Sequence, residues 1–154
     1  MNLLVVSKHV NYKKDLFVFV NLLKNGIMIN KPYIDVPFKM YFTPILEILI
    51  DYGFIYKYEV LVYDRKQLLF DQFSQYKFVR IYIKYWKHSS MIHSIIHPGN
   101  KIKKYNIFVK YCDLQQLVLA SRLLIVSTSF GIKAFTSQNI GTYSYGGVLL
   151  LKII

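Results

Sequence analysis

With 154 residues, 54% of them hydrophobic, the chain has material for one domain or two small packed ones and is neither a tail nor a linker. Its formal net charge of +12 points to a polyanionic partner, either nucleic acid or an anionic membrane surface. The mean hydropathy of +0.29 invites a spanning reading, but charge-free stretches are short or, as in 134–151, filled with Thr, Ser, Asn, Gln and Gly, which argues against membrane insertion.

The opening "MNLLVVSKHVNYKK" has too short an apolar run, with its charges on the wrong side, for a secretory signal, and residues 1–14 read as an extension. From Asp15, as cap, a helix is expected through Lys24, with Asn25-Gly26 as its stop signal. Its run "LFVFVNLL" is apolar nearly all round, so periodicity alone leaves helix and strand open. "YIDVP" alternates and ends at Pro37, which suits a short strand. A helix follows over 39–52, with Thr43 as cap, Pro44 in the first turn, Met40, Ile45, Ile48, Leu49 and Tyr52 lining its buried face, and Gly53 as terminator.

Phe54 to Tyr63 and Lys77 to Lys87 read as strands. In the second, Val79, Ile81, Ile83 and Tyr85 point one way, and Arg80, Tyr82, Lys84 and Trp86 the other. The second set interleaves cations with aromatics, as RNA-binding surfaces often do, although a solvated outer face gives the same pattern. This stretch lies in the charged middle of the chain: residues 72–112 hold eight Lys and Arg and no carboxylate, whereas 1–71 hold nine against seven. Pro98-Gly99 makes a turn before "NKIKKYNIFVKY", an alternating basic strand, and Leu123 to Val126 forms a buried strand leading into "VSTSFGI". Gly146-Gly147 introduces a last strand, Val148 to Ile154. The expected fold is α+β in two packed small domains: helix, strand and helix with further strands over 15–76, and a mostly β part with a short helix over 77–154.

Catalysis finds no support in this pattern. His88, His93 and His97 have no cysteine nearby, and their nearest carboxylates in sequence are Asp71 and Asp113, so they read as solvated or phosphate-facing and not as metal ligands. Ser127 and Ser129 have no nearby base, and neither GxGxxG nor GxxxxGK[ST] occurs. No enzyme activity and no cofactor are expected. Cys112, the single cysteine, has no internal disulfide partner and suits a reducing compartment. Seventeen Lys against three Arg, with 14 Tyr, 11 Phe and two Ala, favours AT-rich codons and suggests an AT-biased genome such as an organelle's.

"LKNG" at Leu23–Gly26, Pro37 and "DYGFI" at Asp51–Ile55, then "IKY" at Ile83–Tyr85, "HPG" at His97–Gly99, "VSTSFGI" at Val126–Ile132 and Gly146-Gly147, follow one pattern. From about Asp15 to the end, the chain resembles the bacterial and organellar small-subunit ribosomal protein eight family. Phe130 stands where that pattern has Lys, Val148 where it has Glu, and "IHSIIHPG" replaces a more basic segment.

The resemblance implies an α/β protein without catalysis that binds the central domain of small-subunit ribosomal RNA beside neighbouring ribosomal proteins. The expected location is a mitochondrial ribosome, with a plastid-type organelle as the alternative. In that role Lys84, Lys87, Lys101, Lys103 and Lys104 neutralise phosphates. Ser127, Thr128 and Ser129 donate to phosphate or 2′-hydroxyl groups, while Gly131, Gly146 and Gly147 let backbone approach closely. Lys24, Asn25, Lys39, Tyr85, Pro98 and Gly99 complete the RNA-facing set. A basic peripheral membrane or assembly-interaction protein is the rival reading; basic strands, in place of a basic amphipathic helix, favour RNA.

Overall fold

The computed structural model describes residues 3–65, 74–98 and 108–154, and the fold is α+β. Two compact units emerge: Gly26–Met91, and Met1–Asn25 together with Ile92–Ile154. The expected boundary between 76 and 77 falls inside a strand, Ser74–Ile83.

Helix α1, Leu3–Met28, is longer than expected. Asp15 lies inside it and is no cap, and residues 3–14, read as an extension, form its first half. Neither Gly nor Pro occurs before Gly26 to interrupt propagation. Asn25-Gly26 does not stop the helix: Ile34 packs so closely on Gly26 that a Cβ there would collide with it. The stop comes four residues later, where Asn30 takes φ +52, its N–H bonds Ile27 O (3.1 Å), and Lys31 N–H bonds Gly26 O (2.9 Å). This is a Schellman ending, with Asn in the left-handed position and Pro32 beyond it.

The Gly26–Met91 unit carries β1 (Tyr33–Pro37), α2 (Phe42–Asp51), β2 (Ile55–Arg65) and β3 (Ser74–Ile83), in an antiparallel sheet ordered β1-β3-β2. Helix α2 buries Phe42, Ile45, Leu46 and Leu49, an i, i+3, i+4, i+7 stripe. Because it begins at Phe42, after Tyr41 as cap and not Thr43, Met40 precedes the stripe and is 78% exposed. Tyr52 at the other end is 42% exposed, so neither lines the buried face. Gly53, at φ +75, does terminate the helix: its N–H bonds Ile50 O and Phe54 N–H bonds Leu49 O, both at 2.8 Å.

The expected strand Lys77–Lys87 breaks at Lys84. Residues Tyr85–Trp86 (β4) turn back onto Ser89–Ser90 (β5) through Lys87 (φ +46) and His88 (φ +67). Two consecutive left-handed residues are what a two-residue hairpin needs to match strand twist.

The other unit is built on a sheet ordered β6 (Ile95–Ile96), β10 (Gly147–Ile153), β8 (Leu123–Thr128), β9 (Gly131–Phe135), with β7 (Phe108–Val109) also on β10. Helix α3 (Tyr111–Leu119) sets Leu114 and Val118 against Leu124, Val126, Phe135 and Leu149. Most of the expected basic strand before it, including Lys101, Lys103 and Lys104, and Gly99 of the preceding turn, lies outside the described residues.

Strand β10 contains an irregularity that the sequence conceals. Leu149 pairs with Val126 and Leu151 with Ile125, so Leu150 is an extra, bulged residue. Its carbonyl lies 2.8 Å from Nδ1 of His97, which is buried and neither solvated nor phosphate-facing. A carbonyl only accepts, so Nδ1 carries the proton and donates. Removing the ring leaves a buried carbonyl without this donor. His97→Leu is therefore expected to lower stability by about 1–3 kcal/mol, read as a fall in the urea midpoint.

Candidate nucleic-acid interface

Antiparallel pairing brings Thr128 opposite Gly131, which makes Ser129 and Phe130 the two-residue tip of the β8–β9 hairpin. Gly131 closes it at φ +98, with nothing within 4 Å of where a Cβ would stand. The glycine is required here by conformation and not by crowding.

The three hydroxyls divide. Thr128 Oγ1 donates to Gly131 O (2.8 Å) and accepts from Phe130 N–H (3.1 Å), so it builds the turn. Ser127 and Ser129 have no side-chain hydrogen bond among the described residues; Ser129 is exposed and Ser127 half-buried. The hairpin thus presents two uncommitted hydroxyls held by a third.

Gly147 and Gly146 come to the same place because Val148 of β10 pairs with Ser127. Their bare backbone serves the protein's own packing. A Cβ on Gly147 would run into Ser127 O, and one on Gly146 into Val109 O, with Lys110 Cα 3.1 Å away. This crossing also brings in exposed Lys110, the residue before α3. In the sequence Lys110 is one basic residue of the charged middle, and only strand pairing sets it beside Gly146.

Aromatic rings continue the site. Phe130 is 70% exposed, and its ring centroid lies 5.0 Å from that of Tyr145. Tyr145 is 5.5 Å from Tyr143, which is 4.9 Å from fully buried Phe135. Asn139 pins the segment carrying these tyrosines, accepting from Thr136 N–H (2.7 Å) and donating to Ala134 O (3.0 Å). In the sequence Phe130 reads only as a lost charge; the Tyr143-x-Tyr145 repeat before the glycines is the signal for its aromatic neighbours.

Lys84, Tyr85 and Lys87 belong to the other unit. Lys84 and Lys87 are exposed; Tyr85 is half-buried, its hydroxyl donates to Lys31 O (2.7 Å), and burial pushes its pKa up. Lys39 is exposed between β1 and α2, and half-buried Lys24 with exposed Asn25 lies near the end of α1. Pro98 follows β6 and is half-buried.

The cation and aromatic face of β3 is different in character from what its spacing suggests. Arg80 grips Asp35 across the β1–β3 pair with two bonds of 2.8 and 2.9 Å, and stands 4.3 Å from the centre of the Tyr33 ring. Lys57 and Tyr82 both donate to Glu59, at 2.6 and 3.1 Å, and hold its carboxyl below the usual range. Cross-strand carboxylates thus neutralise this face from within.

Among the described residues no helix is long and apolar enough to cross a membrane, and no group of three or more His, Cys, Asp or Glu could hold a metal. Residues 17–154 match the family model described as Ribosomal protein S8. The chain is 28% identical over 131 residues to small ribosomal subunit protein uS8 of Dictyoglomus thermophilum, covering 85% of this chain and 89% of the relative, and equally similar to that of Dictyoglomus turgidum. It is 25% identical over 136 residues to uS8c of Bigelowiella natans, covering 87% and 93%. With the family model spanning nearly all of it from the middle of α1 to the last strand, the chain belongs to the Ribosomal protein S8 family.

Proposed function

We propose that this protein is a structural constituent of the small subunit of an organellar ribosome, holding the central domain of the small-subunit RNA in its fold and contacting neighbouring ribosomal proteins, without catalysis. Family membership and the names of the relatives support the ribosomal role. The AT-biased composition supports an organelle, the mitochondrion first and a plastid-type organelle as alternative. The observation that carries the RNA reading is the β8–β9 turn, where Ser127 and Ser129 carry hydroxyls without a partner among the described residues. Such groups suit phosphate and 2′-hydroxyl contacts. Lys110 supplies a cation beside the glycines, and further cations act from elsewhere: Lys84, Lys87 and Lys39 in one unit, Lys24 in the other, and Lys101, Lys103 and Lys104 in the sequence between β6 and β7.

The division among the hydroxyls gives the test. Ser127→Ala with Ser129→Ala is expected to weaken binding to central-domain RNA by about 0.5–1.5 kcal/mol per lost bond. The salt dependence should stay unchanged, because neutral groups release no counterions. Thr128→Val is expected to lower the urea midpoint instead, through loss of the turn. Titration at two salt concentrations beside urea unfolding separates the two effects; a double-serine variant that binds like wild type would return the whole motif to turn formation.

A further inference from the structure

We propose that Phe130, braced by Tyr145, is a stacking platform for one unstacked base of the bound RNA. The inference rests on reading the β8–β9 turn as an RNA face and assigns a contact that hydroxyls and lysines do not supply. A single exposed aromatic is ordinary on a protein surface. This one differs in how it is held. Phe130 occupies the hairpin tip beside Ser129, is 70% exposed, and is contacted by Tyr145 with ring centroids 5.0 Å apart at 46°. Tyr145 in turn meets Tyr143 at 63° and fully buried Phe135 at 84°, so a line of rings runs from the core to the tip. Thr128 Oγ1 fixes the tip from the other side by accepting the Phe130 N–H. The ring is therefore ordered before any partner arrives, which lowers the entropic cost of binding.

The occupant is a nucleobase because of what surrounds the ring. Of the two hydroxyls without a partner among the described residues, Ser129 stands beside Phe130 at the tip and Ser127 near the end of β8, and such groups suit a sugar or base edge next to a stacked base. The chain's charge of +12 complements a polyanion. An apolar side chain of a protein partner would leave those hydroxyls unused. Every base has a π-face, so the platform adds affinity without counterion release.

The test titrates wild type, Phe130→Ala, Phe130→Leu, Phe130→Trp, Phe130→Lys and the Ser127/Ser129 double-alanine variant with a central-domain transcript from the chain's own genome, at two salt concentrations. Urea unfolding confirms that each variant is folded. Phe130→Ala and Phe130→Leu are both expected to bind roughly tenfold to a hundredfold more weakly with the salt slope unchanged, and Phe130→Trp to bind like wild type. Phe130→Lys should steepen the slope by roughly one unit or slightly less. In a second measurement, 2-aminopurine is placed in turn at each unpaired position of the transcript. One position should be quenched in the wild-type complex and recover with Phe130→Leu. Phe130→Leu binding as well as wild type, or no position showing that recovery, overturns the platform; if the double-serine variant is still weakened, the RNA reading survives. Absence of RNA binding by wild type removes both.

Discussion

Gly147→Ala is expected to cost the β8–β10 pairing about 3 kcal/mol or more, at the upper end of what overpacking does. The added Cβ would run into Ser127 O and stand 2.8 Å from Val126 Cγ1 and 3.0 Å from Ser127 C. Two of these three atoms are backbone, so no rotamer change relieves the clash. Relief requires β10 to move off β8 next to the uncommitted Ser127 hydroxyl, and RNA affinity should fall with stability. Gly131→Ala makes the contrast: its Cβ meets open space, and only φ +98 opposes it, at roughly 1–2 kcal/mol. Equilibrium urea unfolding of the two variants orders them; a Gly147→Ala midpoint equal to wild type would mean that β10 does not cross Ser127 so closely.

The other large effect is electrostatic. Replacing Lys101, Lys103 and Lys104 together by Gln is expected to flatten the log–log salt dependence of RNA binding by roughly 2–3 units, which at 0.1 M salt is a loss of roughly two to three orders of magnitude in affinity. These three belong to the run of eight cations without a carboxylate between 72 and 112. Arg80 belongs to it too, yet Arg80→Gln should leave the slope unchanged, because Asp35 already holds that guanidinium through both oxygens. Binding titrations over a tenfold salt range separate the groups, and an unchanged slope in the triple variant would remove these lysines from the interface.

Much of this architecture was legible in the sequence wherever one physical pattern acts alone. "YIDVP" and the stretch from Val79 to Ile83 alternate because one face is buried, and both are strands. Gly53 follows a helical stripe and terminates it. The errors occur where a tertiary contact outweighs a local signal. Asn25-Gly26 has the chemistry of a stop, but Ile34 needs the bare backbone of Gly26, and the helix runs on to Asn30. For Arg80 and Tyr82 the spacing suits an RNA-facing or a solvated face alike, and strand pairing sets Asp35 and Glu59 opposite Arg80, which no local pattern foretells. In the candidate site, the hydroxyl motif and the paired glycines were both visible, and strand pairing does bring them together. The division of labour within "STS" was hidden, since it depends on which hydroxyl faces the Gly131 carbonyl. The glycines' own role was hidden as well, since it depends on the strand passing beside them.

The bulge at Leu150 bears on how the last strand finds its place. Leu149, Leu150 and Leu151 are identical and all buried, so these three side chains alone barely distinguish which of them is the residue left over in the pairing of β10 with β8. His97 breaks that degeneracy: it follows β6, which pairs with the far end of β10, and its Nδ1 proton finds a carbonyl only when Leu150 is the residue left over. One imidazole thereby acts as a register pin. It selects which of three like leucines is left over, while Gly147, which admits no Cβ against Ser127 O, sets where the start of the strand meets β8.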